Sequence, residues 1–178
     1  MRLEDLNDAL GRIRDWIDNV DTKTSVLVAA LAILLGFTLP EINDTKAILH
    51  RSGYTAFNMV LLGIWVIYLA SLFHAMYHAL HELTPHREWL QLNAIEGRPI
   101  ITDFIGIGRM SFADYDSAVR SAEEEHLRRE LIRLCYHYGS NLNHKFEHYI
   151  AAMLEFRIAL LAQIAIFVWI TIVLPSGV

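Results

Sequence analysis

The sequence predicts an all-α integral membrane protein with about three transmembrane helices, an N-terminal amphipathic helix and a helical cytoplasmic module continuous with the last span. Hydrophobic residues make up 54% of its 178 residues and charged residues only 20%, whereas soluble domains carry roughly 25% charged residues. The apolar residues are concentrated in three uncharged runs of 16, 18 and 17 residues. Each run is close to the roughly 20 residues that a helix needs to cross the hydrocarbon layer.

The three runs occupy residues 24–39, 56–73 and 158–174 and are assigned as transmembrane helices 1, 2 and 3. Pro40 and Pro175 directly follow the first and third runs, and Pro85 follows the second after a short extension. Because proline lacks a backbone N–H and disrupts the preceding helical turn, we expect a helix to end at each of these points. Residues 40–55 are then a short periplasmic loop.

The distribution of basic residues predicts the orientation of the chain. Four of the 15 Lys and Arg residues precede the first run, two lie in residues 40–55, and nine lie in residues 74–157. Basic residues near membrane spans favour the cytoplasmic side. The N-terminus and residues 74–157 are therefore predicted to be cytoplasmic.

An amphipathic helix is predicted for residues 1–23, before the first span. Its apolar residues recur at alternating spacings of three and four, which is the seam of a heptad repeat. The stripe either packs on the protein's own cytoplasmic helices, forms a zipper between subunits, or lies on the lipid surface. Its six acidic and four basic residues argue against the lipid surface, because anionic headgroups attract basic faces. The stripe consists of Leu3, Leu6, Leu10, Ile13, Ile17 and Val20.

Residues 74–157 form the predicted helical sensor or coupling module. Ser111 and Asp114 have the spacing of a helix start, which predicts a helix near residues 112–120. A second start at Ser121 opens a helix that continues through residue 174, over about 80 Å, long enough to couple a cytoplasmic event to the bilayer. Residues 100–105 are short, apolar and β-branched, typical of a short strand or a buried loop.

Four polar residues lie within the second and third spans and need hydrogen-bond partners there. They join helices to one another or, alternatively, line a pore when protomers assemble, so that a homo-oligomer is expected. The four are Asn58, Ser71, Gln163 and Thr171.

Several functional classes are excluded or disfavoured. The net charge of −5 argues against a nucleic-acid polymer as partner, and the chain has no nucleophile-elbow or phosphate-loop motif, so we expect neither an enzyme nor a cofactor. Imidazoles at helical spacing can share a metal ion or sense pH. No carboxylate-rich partner set accompanies them, so no metal is expected. These imidazoles belong to His74, His78 and His81 and to His144 and His148.

Four charged residues are candidates for binding a small anionic ligand. Asp21 and Lys23 lie at the first membrane entry, where a snorkelling anchor is the alternative interpretation. Arg98 and Arg109 flank residues 100–105, and a guanidinium matches a phosphate bidentately. Solvated surface arginines are the alternative there.

Four segments in order along the chain resemble the Pycsar effector transmembrane family, whose members are bacterial membrane effectors of antiphage signalling. The first is the membrane entry WIDNVDTKTS, and the last is LEFRIAL, which opens the third span. Between them lie TPHR after the second span and the pair DFIGI and MSFADY. The segments occupy residues 16–25, 84–87, 103–107 with 110–115, and 154–160.

The resemblance implies a resident protein of the bacterial inner membrane that a cyclic pyrimidine mononucleotide, cCMP or cUMP, activates after a linked cyclase produces it. The lipid bilayer and this nucleotide are then its partners. The activated protein impairs the membrane, and the infected cell dies or stops growing. Two alternatives are a membrane scaffold that binds a partner helix and a His-gated ion transporter.

Overall fold

A computed structural model describes residues 2–53, 55–84 and 110–173 of the chain. Four helices account for 94% of the described residues, and these residues contain no strand. They are α1 (Leu3–Ser52), α2 (Ala56–Leu83), α3 (Phe112–Arg120) and α4 (Glu124–Val173). α1, α2 and α4 are each long and apolar enough to cross a membrane, which confirms the predicted all-α membrane fold.

The first helix does not end at Pro40. α1 continues through this proline to Ser52, so residues 40–52 are helical where the sequence predicted a loop. The helix ends instead at Gly53, whose φ of 68° suits a residue without a Cβ atom. Its N–H donates to the Leu49 carbonyl at 2.9 Å. The periplasmic location of this segment remains a prediction.

The chain divides into two compact units. One unit comprises Met1–Val20 and Thr84–Lys145, and the other comprises Asp21–Leu83 and Phe146–Val178. We call the second the membrane unit because it contains all three apolar runs.

The core of the membrane unit is built from α1, α2 and α4 and contains leucine, isoleucine and aromatic side chains, with Tyr68 and Leu61 fully buried. Small residues of α2 and α4 lie in the same core, and small side chains allow transmembrane helices to approach closely. We call this set the alanine seam. It consists of Ala75, Ala79, Ala152 and Ala159, all fully buried.

The other unit buries the predicted amphipathic stripe. Leu6, Leu10 and Val20 of α1 are buried in it together with Leu134 of α4. Cys135 Sγ lies 3.6 Å from the Leu6 carbonyl oxygen. This burial favours packing of the stripe on the protein's own helices over a zipper between subunits.

The predicted helix start at Ser111 is confirmed. Ser111 is the N-cap of α3, and its Oγ accepts a hydrogen bond from the Asp114 N–H at 3.2 Å. The predicted second start at Ser121 is corrected, because Ser121 caps the C-terminus of α3 and α4 begins at Glu124. The carbonyl of Glu123 accepts the first hydrogen bonds of this helix.

Candidate functional site

A buried polar face of α1 continues beyond its uncharged run. Thr38, Glu41 and Thr45 follow one another at helical spacings of three and four, and they are 5%, 8% and 5% exposed. Residues at this spacing lie on one side of a helix. All three side chains therefore enter the interior of the membrane unit, where each hydrogen-bonds to α2 or α4.

The contact that joins α1 to α4 is that of Glu41 with Gln163. The Gln163 side chain is 7% exposed, and its Nε2 donates to Glu41 Oε2 across α1 and α4. Within the described part of the chain, Gln163 Oε1 has no hydrogen-bond partner. The pair therefore holds α4 against α1, and the second acceptor of the amide, Gln163 Oε1, is not used in this contact.

Thr38 and Tyr68 form a second contact, one turn before Pro40. Their hydroxyl oxygens are 2.9 Å apart, and they lie 3.2 Å and 2.9 Å from the Leu34 carbonyl oxygen. Each hydroxyl has one proton, so two of these three contacts are hydrogen-bonded at any moment. The arrangement ties α2 to the turn of α1 that precedes the proline.

Trp65 and Thr45 form the third contact. The Trp65 indole Nε1 donates to Thr45 Oγ1 at 3.0 Å, and the indole ring packs edge-on against Tyr68. A buried indole N–H normally needs such an acceptor. The polar face of α1 thus bonds to α2 twice and to α4 once, and we call these three contacts the Pro40 cluster.

An open groove of about 480 Å³ lies beside this cluster. Pro40, Glu41 and Asp44 contribute from α1, and Phe167 and Thr171 contribute from α4. Glu41 is one of the residues that line this groove, so the buried pair of Glu41 and Gln163 lies at the wall of the groove.

Of the four predicted membrane-span polar residues, Gln163 hydrogen-bonds across to a different long helix, α1. Thr171 Oγ1 donates to the Phe167 carbonyl on its own helix at 2.8 Å and is exposed. Asn58 is buried at the start of α2, and its Nδ2 donates to the Gly53 carbonyl at 2.6 Å. Ser71 is buried and lines a shallow groove with His74.

The predicted ligand residues at the membrane entry do not converge. Asp21 and Lys23 are two positions apart on α1, which separates their directions by about 200°. Asp21 is half-buried and Lys23 exposed. Thr24, the next residue, is fully buried. Arg98, Arg109 and residues 100–105 lie outside the described residues.

A second polar cluster joins α2 to α4. The imidazoles of His74 and His78 lie one turn apart on α2, and they reach His148 and Glu155 of α4. The described residues contain no group of three or more His, Cys, Asp or Glu side chains arranged to hold a metal ion. The contacts of this cluster join imidazole nitrogens to one another and to the Glu155 carboxylate.

Glu41 was missed by the sequence analysis. The signal was present, because Thr38, Glu41 and Thr45 share a helical face. Pro40 predicts a helix end, and that expectation places Glu41 in a loop instead of on this face.

Cys135, the single cysteine of the chain, and His137 lie two positions apart on α4. Burial raises the pKa of the Cys135 thiol above its ordinary value, which suppresses the reactive thiolate. Burial, followed by the charge of Arg133, lowers the pKa of His137. Neither shift activates a nucleophile.

Comparison with known proteins identifies the family. No curated protein and no solved structure gives a significant match to the chain. The family model of the Pycsar effector protein domain matches residues 5–174, which include the three long apolar helices, the Pro40 cluster and the histidines of α2 and α4. The chain is therefore a member of the family defined by the Pycsar effector protein domain.

Proposed function

We propose that the protein is an antiphage defence effector that cCMP or cUMP activates to impair the bacterial inner membrane and thereby stop growth of or kill the infected cell. The observation that carries the proposal is the match of the Pycsar effector protein domain to residues 5–174. The three helices long and apolar enough to span a bilayer supply the part of the molecule that acts on the membrane. The Pycsar effector transmembrane domain is not a known enzyme family. The proposed action on the membrane requires no catalytic residue.

In this proposal the resting state is a bundle closed by the Pro40 cluster. Breaking the contacts of Glu41, Thr38 and Thr45 exposes polar groups to hydrocarbon, which is unfavourable unless new partners satisfy them. A second copy of the chain supplies such partners, because it carries the same donors and acceptors. Activation is therefore an exchange of contacts within one bundle for contacts between copies.

The nucleotide drives this exchange by binding the activated state more tightly than the resting state. A shift from 1% to 99% activated protein requires a preference of roughly 10⁴-fold. A variant that weakens the resting contacts needs a smaller preference, so it responds at a lower nucleotide concentration. For contact with the cyclic phosphate we propose Arg98 and Arg109 and, as a separate candidate, Lys23, each to be tested by its own substitution.

The test has a binding arm and a cellular arm. Protein purified in lipid nanodiscs is titrated with cCMP, cUMP and a cAMP control, and selective pyrimidine binding is expected. Bacteria that carry the protein and an inducible pyrimidine cyclase are followed for growth and membrane potential. Both are expected to fall only when the cyclase is active.

Substitutions link the two arms to the structure. Gln163→Leu is expected to sensitise cells to the cyclase, and Thr171→Val is the matched control because its hydroxyl bonds only to its own helix. Absence of pyrimidine binding to assembled protein contradicts the proposed ligand. Selective binding without any change in membrane potential contradicts the proposed membrane action.

A further inference from the structure

The groove beside the Pro40 cluster brings two carboxylates together with an apolar surface. Glu41 and Asp44 lie three positions apart on α1, so they project to the same side of the helix. Both line the groove, together with the aromatic rings of Phe37 and Phe167. The negative charge of Asp44 also acts on the Glu41 carboxyl. The groove thus combines concentrated negative charge with aromatic walls.

Neither carboxylate has a basic partner within the described part of the chain. Glu41 uses Oε2 for the Gln163 amide, and its Oε1 is left for the groove that it lines. Lys46 is the nearest basic residue in the sequence, but it lies two positions after Asp44, which separates their directions on the helix by about 200°. Residues 56–73 of α2 and 158–173 of α4 contain no Lys or Arg. A carboxylate buried without a compensating charge is unfavourable, so the groove either binds a cation or takes up a proton.

Pro40 adds a backbone acceptor to the same face of α1. Proline has no N–H, so the carbonyl of Gly36 lacks the donor that normally lies four residues further along a helix. Gly36, Pro40 and Asp44 follow one another at spacings of four and therefore share one face. The space beside Gly36 is open, because a Cβ atom there would meet nothing within 4 Å. This face therefore offers a carbonyl oxygen in addition to the carboxylates.

The composition of the groove favours an organic ammonium over a metal ion. A hard metal ion such as Ca²⁺ takes roughly six to eight oxygen ligands, whereas the described residues contain no group of three or more acidic, His or Cys side chains arranged to hold one. A primary ammonium has three N–H donors and is attracted by carboxylates and by aromatic faces. Phe37 and Phe167 are 57% and 61% exposed, which leaves their rings available to the carbon chain that such an ammonium carries.

The position of the groove along the helices indicates a lipid as the source of this ammonium. Glu41 and Asp44 directly follow the uncharged run 24–39 of α1, and on α4 the groove lies in the second half of the run 158–174. Runs of this length fit the hydrocarbon layer, so their ends lie near the lipid headgroups. The carboxylates are therefore within reach of a headgroup, and the exposed phenylalanines are within reach of acyl chains.

We propose that this groove is a lipid-binding site that holds the primary ammonium of a phosphatidylethanolamine headgroup at Glu41 and Asp44, with the lipid's carbon chains against Phe37 and Phe167. We call it the headgroup site. Because α1 and α4 both line it, a bound lipid stabilises the packing of these two helices. The inference does not depend on the proposed nucleotide, since all of these residues belong to the membrane unit.

Native mass spectrometry tests the headgroup preference. Protein purified in a mild detergent is titrated with phosphatidylethanolamine, phosphatidylcholine and phosphatidylglycerol that share the same acyl chains. The first has an ammonium with N–H donors, the second an ammonium without them, and the third no ammonium. The first phosphatidylethanolamine is expected to bind with a Kd about ten-fold lower than the other lipids, the effect of one charge-assisted hydrogen bond. Equal Kd values for the three lipids overturn the proposal.

Two variants of similar shape locate the site. Asp44→Asn and Glu41→Gln each remove one charge, and the new amide oxygen at position 41 can still accept from Gln163 Nε2. Each is expected to bring the Kd for phosphatidylethanolamine to within about two-fold of that for phosphatidylcholine. Asp8→Asn is the matched control, because it removes an equal charge from an exposed position of α1 before the first apolar run.

Two results with these variants contradict the site. A preference that survives Asp44→Asn places the ammonium elsewhere and overturns the proposal. If Glu41 takes up a proton instead of facing a cation, Glu41→Gln leaves the preference unchanged, which also overturns it. Asp44 is exposed, so Asp44→Asn keeps the test valid even where Glu41→Gln impairs folding.

Two further measurements address the lipid source and the packing of α1 on α4. Ethanolamine supplies the same ammonium without acyl chains, and binding with the same Kd as the lipid overturns the assignment to a lipid. Unfolding by SDS is followed in micelles that contain either phosphatidylethanolamine or phosphatidylcholine. A lipid concentration of about 100 times the Kd is expected to lower the unfolding constant about 100-fold, in the unsubstituted protein and Asp8→Asn but not in Asp44→Asn. Equal unfolding constants with the two lipids overturn the proposal.

Discussion

Gln163→Leu tests whether the Pro40 cluster holds the three-helix bundle together. The change removes the donor that Glu41 uses across α1 and α4. A buried hydrogen bond contributes roughly 0.5–1.5 kcal/mol net, and a buried polar group left without its partner costs roughly 1–3 kcal/mol. Leucine also removes Gln163 Oε1, a buried acceptor with no hydrogen-bond partner among the described residues, and its removal offsets part of this cost. A net destabilisation of about 2 kcal/mol is expected, equivalent to a fall in Tm of roughly 4–8 °C.

The double variant Glu41→Leu with Gln163→Leu provides the decisive comparison. Replacing both partners of a buried hydrogen bond by apolar groups of similar shape is close to neutral, so the double variant is expected to unfold within about 0.5 kcal/mol of the unsubstituted protein. The assay is reversible unfolding of micelle-embedded protein by SDS, followed by circular dichroism, with Thr171→Val as the control. The reasoning fails if the two single changes are additive, or if Gln163→Leu destabilises no more than Thr171→Val.

Three further measurements address individual contacts. Tyr68→Phe removes one hydroxyl from the contact with Thr38 and should cost roughly 1 kcal/mol in the same SDS assay; no loss would show that the contact is neutral. Ser111→Ala removes the N-cap of α3, and a cost of about 1 kcal/mol should raise hydrogen exchange in its first turn several-fold, whereas unchanged exchange would count against the cap. Since burial raises the pKa of Cys135, its alkylation at about pH 8 should be several-fold slower in the folded than in the unfolded protein; equal rates would contradict this.

Local chemistry made part of the fold predictable. The three apolar runs identify the helices that can cross a membrane, because their length and composition alone decide that property. Ser111 and Asp114 identify the start of α3, because the capping hydrogen bond joins residues three apart in the sequence. Both features depend on neighbours in the chain.

The error at Pro40 has a tertiary origin. A proline inside a helix costs roughly 3 kcal/mol in isolation, which makes a helix end the sensible expectation. In the folded protein, Thr38, Glu41 and Thr45 form hydrogen bonds on both sides of the proline, and these contacts come from residues 20 to 122 positions away. A single sequence does not show those distances.

The second polar cluster, which joins α2 to α4, was half predictable for the same reason. The spacing of His74 and His78 indicated a shared face of α2, and it raised both metal binding and pH sensing. The choice between them depends on Glu155 and His148, which the fold brings to that face from 70 to 81 residues away. Only the direction in which each ring nitrogen points shows that the nitrogens bond to each other.

The alanine seam limits which substitutions the membrane unit can accept. An imidazole has a short reach, so His78 and His148 can touch only while α2 and α4 stay packed together, and packed helices have axes roughly 8–10 Å apart. Ala79 adjoins His78 in sequence, and Ala152 lies one turn beyond His148. A larger apolar residue at either position would keep both histidines in the sequence but would push α2 and α4 apart and separate the two rings. Mutational tolerance here is therefore a matter of side-chain volume, and a survey of substitutions should find alanine and glycine accepted where valine and leucine are not.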